Sequence, residues 1–134
     1  MNGLHAHGDF YVPLATANGL AALFLACGQD VACVAEAAVG NTRFERTATG
    51  GLYASAYLPN LICGTIGGGT SLPTASECLQ LLGCTGEDSA PRFAEIAASL
   101  VLAGELSLSA AISSGHFSSA HATLGRSGKR NAAD

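Results

Sequence analysis

The stretch Phe93–Gly125, FAEIAASLVLAGELSLSAAISSGHFSSAHATLG, constrains this chain more than any other part of it. It holds no proline, helix formers dominate it, and it is apolar on nearly every face. That pattern predicts a buried helix, because a surface helix keeps one polar side. The helix is expected to end near Gly115, and a second short helical segment then carries His116 and His121. A long apolar helix that delivers two histidines suggests a scaffold handing a titratable group to a site.

Whether such a helix finds cover depends on the rest of the chain. Its 134 residues suffice for one domain with a real core. A hydrophobic content of 49% against 12% charged residues is apolar for that length. Part of the apolar surface is therefore expected to lie against a partner subunit or another part of the same protein. The net charge of -4 argues against general nucleic-acid binding, and Arg126, Lys129 and Arg130 form the one basic cluster. Cys27, Cys33, Cys63, Cys78 and Cys84 include no CxxC pair. They read as buried free thiols in a reducing cytoplasm, with neither a disulfide framework nor a metal site. The N-terminus lacks the basic start of a secretory signal. The apolar runs Leu20–Cys27 and Ile96–Ala103 fall short of the roughly 20 residues that cross a bilayer. These features predict a soluble, cytoplasmic chain without a membrane segment.

Taken in order, the chain predicts an α+β fold. His5, His7 and Asp9 would share one face of a strand, a spacing that resembles the metal motif of the metallo-β-lactamase superfamily. Phe10 stands where that motif places a further histidine, and the segment reads as a frayed terminus; a metal hydrolase is the weaker alternative. Pro13 to Gly28 has helical spacing, with Gly28 placed to end the helix. Asp30 is positioned to cap a helix over Val31–Ala38. Strands are expected over Thr42–Thr49, Leu52–Leu58 and Leu61–Ile66, with Gly50-Gly51 as a hairpin turn, giving a small antiparallel meander. The segment Gly64-Thr-Ile-Gly-Gly-Gly-Thr70 follows a strand and precedes a helix. Its glycines serve either a tight turn or a cradle that lets backbone N–H groups approach an anion. It is neither a GxGxxG nor a P-loop sequence. A helix over Thr74–Leu82 should stop at Gly83, and Ser89 should cap the long helix.

Four stretches, ANGLAALFLACGQD (17–30), GTIGGGTSLPT (64–74), ECLQLLGC (77–84) and AEIAASLVLAGELSLSAAISSGHFSSAH (94–121), together resemble the hydroxymethylglutaryl-CoA reductase family. They occur in the family's order and at about its spacing. The resemblance covers residues 15–126; residues 1–14 match poorly, and 127–134 read as a flexible tail. It implies the C-terminal part of a catalytic region, within the large domain that binds substrate and forms dimers. The implied reaction reduces hydroxymethylglutaryl-CoA to mevalonate and CoA with a pair of NADPH, NADH being the open variant. Asp30 then corresponds to the catalytic aspartate that tunes a lysine. His121 corresponds to the histidine that protonates the CoA thiolate, a task suited to an imidazole near neutral pH. Asn18 corresponds to a substrate contact, and Gly67, Gly68, Gly69 and Thr70 to a turn on the cofactor side. His116 lies five positions before His121, about 140° away around a helix, and reads as structural.

The sequence also departs from the family pattern. Ala15 and Ser119 stand where histidine and lysine are common. Ser127, after an arginine, falls where the family resemblance puts a regulatory phosphoserine of animal enzymes, and reads as a coincidence in the tail. The family's catalytic glutamate, its two lysines and its main cofactor segment are not among these residues, and the one lysine present is Lys129. The chain by itself is therefore expected to be inactive and to pair as a homodimer or with a complementing reductase segment. The alternative is a non-catalytic interaction remnant that pairs with a complete reductase subunit.

Overall fold

The computed structural model describes residues 10–13 and 17–124. The expectations for His5, His7, Asp9, Ala15 and the tail beyond residue 124 fall outside them.

Elements run β1 (Phe10–Pro13), α1 (Ala17–Ala26), α2 (Cys33–Ala37), β2 (Asn41–Arg46), β3 (Leu52–Tyr57), a 3-10 turn (Gly68–Ser71), α3 (Pro73–Leu81), α4 (Ala90–Ser113) and α5 (His116–Leu124). The architecture is α+β. The three strands form an antiparallel sheet in the order β1-β2-β3.

The meander exists, but its third member is not the one expected from sequence. The third strand is β1, which pairs with β2 from Phe10 opposite Phe44 to Pro13 opposite Asn41. Proline sits at the end of this edge strand, where its missing N–H interrupts no central ladder. Pro13 therefore belongs to the sheet, and among the described residues α1 runs from Ala17. Residues 61–66 form no strand. The backbone N–H and C=O of Gly64 are instead held by the side chain of Gln29, so they are not available to a ladder.

Glycine ends α1 as the sequence predicts. Gly28 has φ +67°, and Gln29 N–H reaches back to the Phe24 carbonyl at 2.9 Å, a left-handed helix stop. Gly83, at φ +66°, ends α3 in the same way, with Cys84 N–H on the Leu79 carbonyl. Helix α2 is shorter than predicted. The Asp30 carboxylate accepts the Ala32 N–H at 2.9 Å, so it caps the turn that leads into α2 rather than the helix itself.

The core joins Leu20 and Phe24 of α1, Cys27 just past its end, Ala37 of α2, Leu79 and Cys84 around the end of α3, and Phe93, Ala97 and Val101 of α4. Phe24 and Phe93 meet at 6.4 Å between ring centroids, tilted by 40°, a favourable aromatic arrangement. All five cysteines are free, but only Cys27 and Cys84 are buried.

Helix α4 corrects the expectation of a helix buried all round. Its buried residues are Phe93, Ala97, Val101 and Glu105, one stripe at every fourth position. That stripe faces α1 and β3. Leu100 is 39% and Ile112 46% exposed, because the described elements cover one side only. Taken whole, α4 is also long and apolar enough to cross a membrane by length and composition, which the lengths of its apolar runs did not suggest. Burial of its stripe on the protein's own elements is the arrangement of a core helix. Ser89 stands at the helix entrance without capping it. Its hydroxyl donates to the Gly86 carbonyl at 2.8 Å and shares a 2.7 Å hydrogen bond with the Thr65 hydroxyl.

Candidate functional site

Two sequence motifs far apart in the chain meet at the C-terminal end of α1. Gly28 presses against Gly69: a Cβ placed on Gly28 would lie 2.3 Å from the Gly69 carbonyl oxygen, and one on Gly69 would lie 2.8 Å from that of Gly28. Only two glycines permit so close a backbone approach. One residue on, the Gln29 carboxamide donates from Nε2 to the Gly64 carbonyl at 2.7 Å and to the Cys27 carbonyl at 3.2 Å. Its Oε1 accepts the Gly64 N–H at 2.9 Å. Asp30 follows, exposed to solvent.

Between these anchors the glycine-rich turn adopts a backbone closed to most residues. Gly67 has φ 84° and ψ -179°, a region essentially reserved for glycine, and Gly68 has φ 57°. A Cβ on either would meet nothing within 4 Å, so these two glycines face open space. Thr70 points the other way. It is buried, and its hydroxyl donates to the Gly67 carbonyl at 2.6 Å. Beside the turn lies a cleft of about 290 Å³, lined by Thr65, Ile66, Gly67, Thr70, Cys84 and Gly86 among others. Asp30 is not among its lining residues.

The structure separates the other sequence-predicted residues from this junction. Asn18 is exposed near the opposite end of α1, whose ten residues span about 15 Å. Its Oδ1 accepts the Gly19 N–H. His116 and His121 both lie on α5, as the sequence predicts, and α5 packs mainly on α4. Helix α4 is 24 residues long, about 36 Å from its entrance beside Thr65 to its exit before α5. His116 is exposed, and its carbonyl accepts the Ser119 hydroxyl. The described residues thus join Gly28 and Gln29, which precede Asp30, to the glycine-rich segment, while Asn18 lies toward the other end of α1 and His121 on α5.

Thiols surround the base of the junction. Burial raises the Cys27 thiol above its ordinary pKa, and the charges of Cys78 and Cys84 raise it further. Cys63 is raised by burial and then by Cys84. Cys33 is raised by partial burial and then by Asp30 and Glu36. Among the described residues, no group of three or more His, Cys, Asp or Glu side chains is arranged to hold a metal ion.

Gln29 is the residue that sequence reasoning passed over. Its signal was available as the middle letter of GQD, but a lone glutamine has no periodicity or charge to mark it. Glu105, buried in α4 within the AGELSL segment, was missed for the opposite reason: helical spacing made every fourth position look apolar.

The scaffold is thus α+β, with the stop of α1 fastened to a glycine-rich turn through Gly28 and Gln29. Comparison with known proteins names the family. The model for hydroxymethylglutaryl-coenzyme A reductase matches residues 2–126. The 3-hydroxy-3-methylglutaryl-coenzyme A reductase of Methanocaldococcus jannaschii is 50% identical over 110 residues, covering 82% of this chain and 27% of the relative. That of Aeropyrum pernix is 50% identical over 117 residues, covering 84% and 28%. The 3-hydroxy-3-methylglutaryl-coenzyme A reductase 1 of Oryza sativa subsp. japonica is 40% identical over 136 residues, covering 96% and 24%. The chain belongs to the hydroxymethylglutaryl-CoA reductase family. It spans about a quarter of the length of these relatives.

Proposed function

We propose that these residues form the C-terminal part of the large domain of a hydroxymethylglutaryl-CoA reductase, acting in the cytoplasm as part of a homodimer. The reaction converts hydroxymethylglutaryl-CoA to mevalonate and CoA. The observation that carries the proposal is the junction of Gly28 and Gln29 with Gly69 and Gly64, which fastens the residue preceding Asp30 to the start of a glycine-rich segment with an open side.

That turn fits a nicotinamide dinucleotide. Gly67 and Gly68 leave room where any side chain would stand, and backbone is what remains to line the space. Gly67, Gly68 and Gly69 would hold the cofactor through main-chain groups. Thr70, whose hydroxyl is engaged with Gly67, would shape the turn. NADPH is the proposed cofactor, NADH its alternative, and when bound it supplies the hydride for each reduction.

The chain's own groups have distinct tasks. Asp30, exposed to solvent, would hold and tune a lysine supplied by the upstream part of the enzyme, which stabilises charge on the carbonyl oxygen. His121 would protonate the departing CoA thiolate. Asn18 would contact the acyl end of the substrate. The position of His121 beyond a helix of about 36 Å suits a site assembled with another subunit or segment.

The test is NADPH oxidation driven by hydroxymethylglutaryl-CoA. The chain alone should show no turnover, and the chain assembled with an upstream reductase segment should. In that assembly Asp30→Asn and His121→Gln should each lower the rate by roughly 10²–10⁴-fold. Turnover by the chain alone would sink the requirement for upstream residues.

A second reading is a non-catalytic module that pairs with a complete reductase subunit. The exposed Leu25, Leu81, Leu100 and Ile112 favour it. Co-purification with such a subunit, with its activity unchanged and His121→Gln silent, would select it.

A further inference from the structure

We infer that Gln29 is a positioning residue, whose carboxamide fastens the glycine-rich turn to the segment bearing Asp30 so that both are presented as one preassembled unit. The inference deepens the reductase reading and rests on it for the cofactor side of the argument.

The geometry is specific to glutamine. Gly64 offers Gln29 a carbonyl at 2.7 Å and an N–H at 2.9 Å, thirty-five positions along the chain. A carboxamide is the side-chain group with a donor and an acceptor side by side on one carbon that stays neutral. An ionised glutamate accepts only, and a lysine donates only. The second proton on Nε2 reaches the Cys27 carbonyl, so the last residue before Gly28 and the first residue of the turn segment are held through one nitrogen.

These bonds matter because the turn is fastened in few places. At one end Gly69 rests on Gly28; at the other Gly64 is held by Gln29. Residues 65–68 run between the two anchors; within them the Thr65 hydroxyl bonds Ser89 and the Gly67 carbonyl accepts from Thr70, whereas Gly67 and Gly68 carry no side chain of their own. Loss of the Gln29 bonds removes the backbone anchor at one end of the span whose open face is assigned to the cofactor, leaving the Thr65–Ser89 hydroxyl bond there. Asp30 remains covalently next to residue 29 but loses its fixed relation to the turn. Asn18, at the other end of α1, is untouched.

The experiment has two readouts. Amide hydrogen exchange on the 134-residue chain reports the anchor directly. Gln29→Ala should speed exchange at Gly64 and through residues 65–68 by about tenfold or more, the worth of one to two part-buried hydrogen bonds, while α4 keeps its protection. In the chain assembled with an upstream reductase segment, the same variant should raise the cofactor KM by about tenfold and leave the KM for hydroxymethylglutaryl-CoA unchanged.

Gln29→Glu supplies a second, pH-dependent check. Protonated, the introduced carboxyl donates to the Gly64 carbonyl and accepts its N–H. Ionised, it faces two carbonyl oxygens with no donor. Asp30, Cys27 and Cys63 are the titratable residues flanking these bonds in sequence. Protection of Gly64 and cofactor affinity should therefore approach wild type at acid pH and fall as pH rises, a profile Gln29→Ala does not share. Unchanged Gly64 exchange in both variants overturns the proposal. So does faster exchange with an unaltered cofactor KM. If the wild-type assembly fails to reduce substrate, the reductase reading falls separately, and Gly64 exchange still decides whether Gln29 holds the turn.

Discussion

Gly28 and Gly69 are required at the same contact for reasons that reach beyond local conformation. Gly28 needs its positive φ to end α1, and it also needs to lack a Cβ, since that atom would overlap the Gly69 carbonyl at 2.3 Å. The first need is legible in sequence, because glycine after an apolar helical run marks a helix stop. The second is not, because the contact spans forty-one positions. Gly28→Ala combines left-handed strain with overlap against backbone that has no rotamer to yield. It should destabilise the chain by about 2 kcal/mol or more, read as a lower denaturation midpoint at constant slope. Thr42 tests the opposite case. It is fully buried between β1 and β3, and its hydroxyl has no hydrogen-bond partner among the described residues. Thr42→Val keeps the shape and removes the buried polar atom, so it should be neutral or stabilise by up to about 1 kcal/mol. A marked loss in denaturant melts would show that the hydroxyl is in use.

At the scale of elements, α4 organises the fold through a single stripe. Phe93 is fully buried at its first turn and packs in a tilted arrangement against Phe24 of α1. Phe93→Ala should cost about 3–5 kcal/mol, the range for a large aromatic removed from a packed site, and a loss well below 2 kcal/mol would mean that the site collapses to refill. The helices α1, α3, α4 and α5 were legible because each has a repeat and a glycine, proline or capping residue at an end. The sheet was only half legible. The hairpin of β2 and β3 carries its own turn signal in Gly50-Gly51, and its register pairs Thr42 with Ala56. Strand β1 has four residues and no alternation to read, and a strand so short is defined by its partner. The apolar run 61–66 looked like a strand because period alone cannot reveal that a glutamine side chain takes over the backbone of Gly64.

At the scale of the molecule, the described elements bury one side of an apolar chain. Leu25, Leu81, Leu100 and Ile112 remain exposed, in keeping with a chain that spans a quarter of its relatives' length. Addition of the upstream segment should raise the thermal midpoint of this chain in a concentration-dependent way, because a partner that binds only the folded form adds to its stability. The thiols give a global pH dependence. Cys27 and Cys63 are raised above the ordinary value of 9.0 in the folded chain, so the folded state holds their protons longer than the unfolded state. Their contribution is fully present below pH 9.0 and is lost as pH rises through their folded values. Thermal midpoints under reducing conditions should therefore fall on the alkaline side, and Cys27→Ala with Cys63→Ala should flatten that slope.

By itself the sequence determined the helix stops and the glycine turn, which rest on local spacing and residue type, and, through its resemblance to the family, marked Asp30 and His121 as candidates. Tertiary structure alone decided that Gly28 meets Gly69, that Gln29, the residue before Asp30, bonds Gly64, and that Asn18 lies toward the other end of α1 with His121 on α5. The physical reason is range. A helix end or a hairpin is encoded within a few residues, whereas the meeting of Gly28 with Gly69 and of Gln29 with Gly64 depends on how α1, α3 and α4 pack around a shared core.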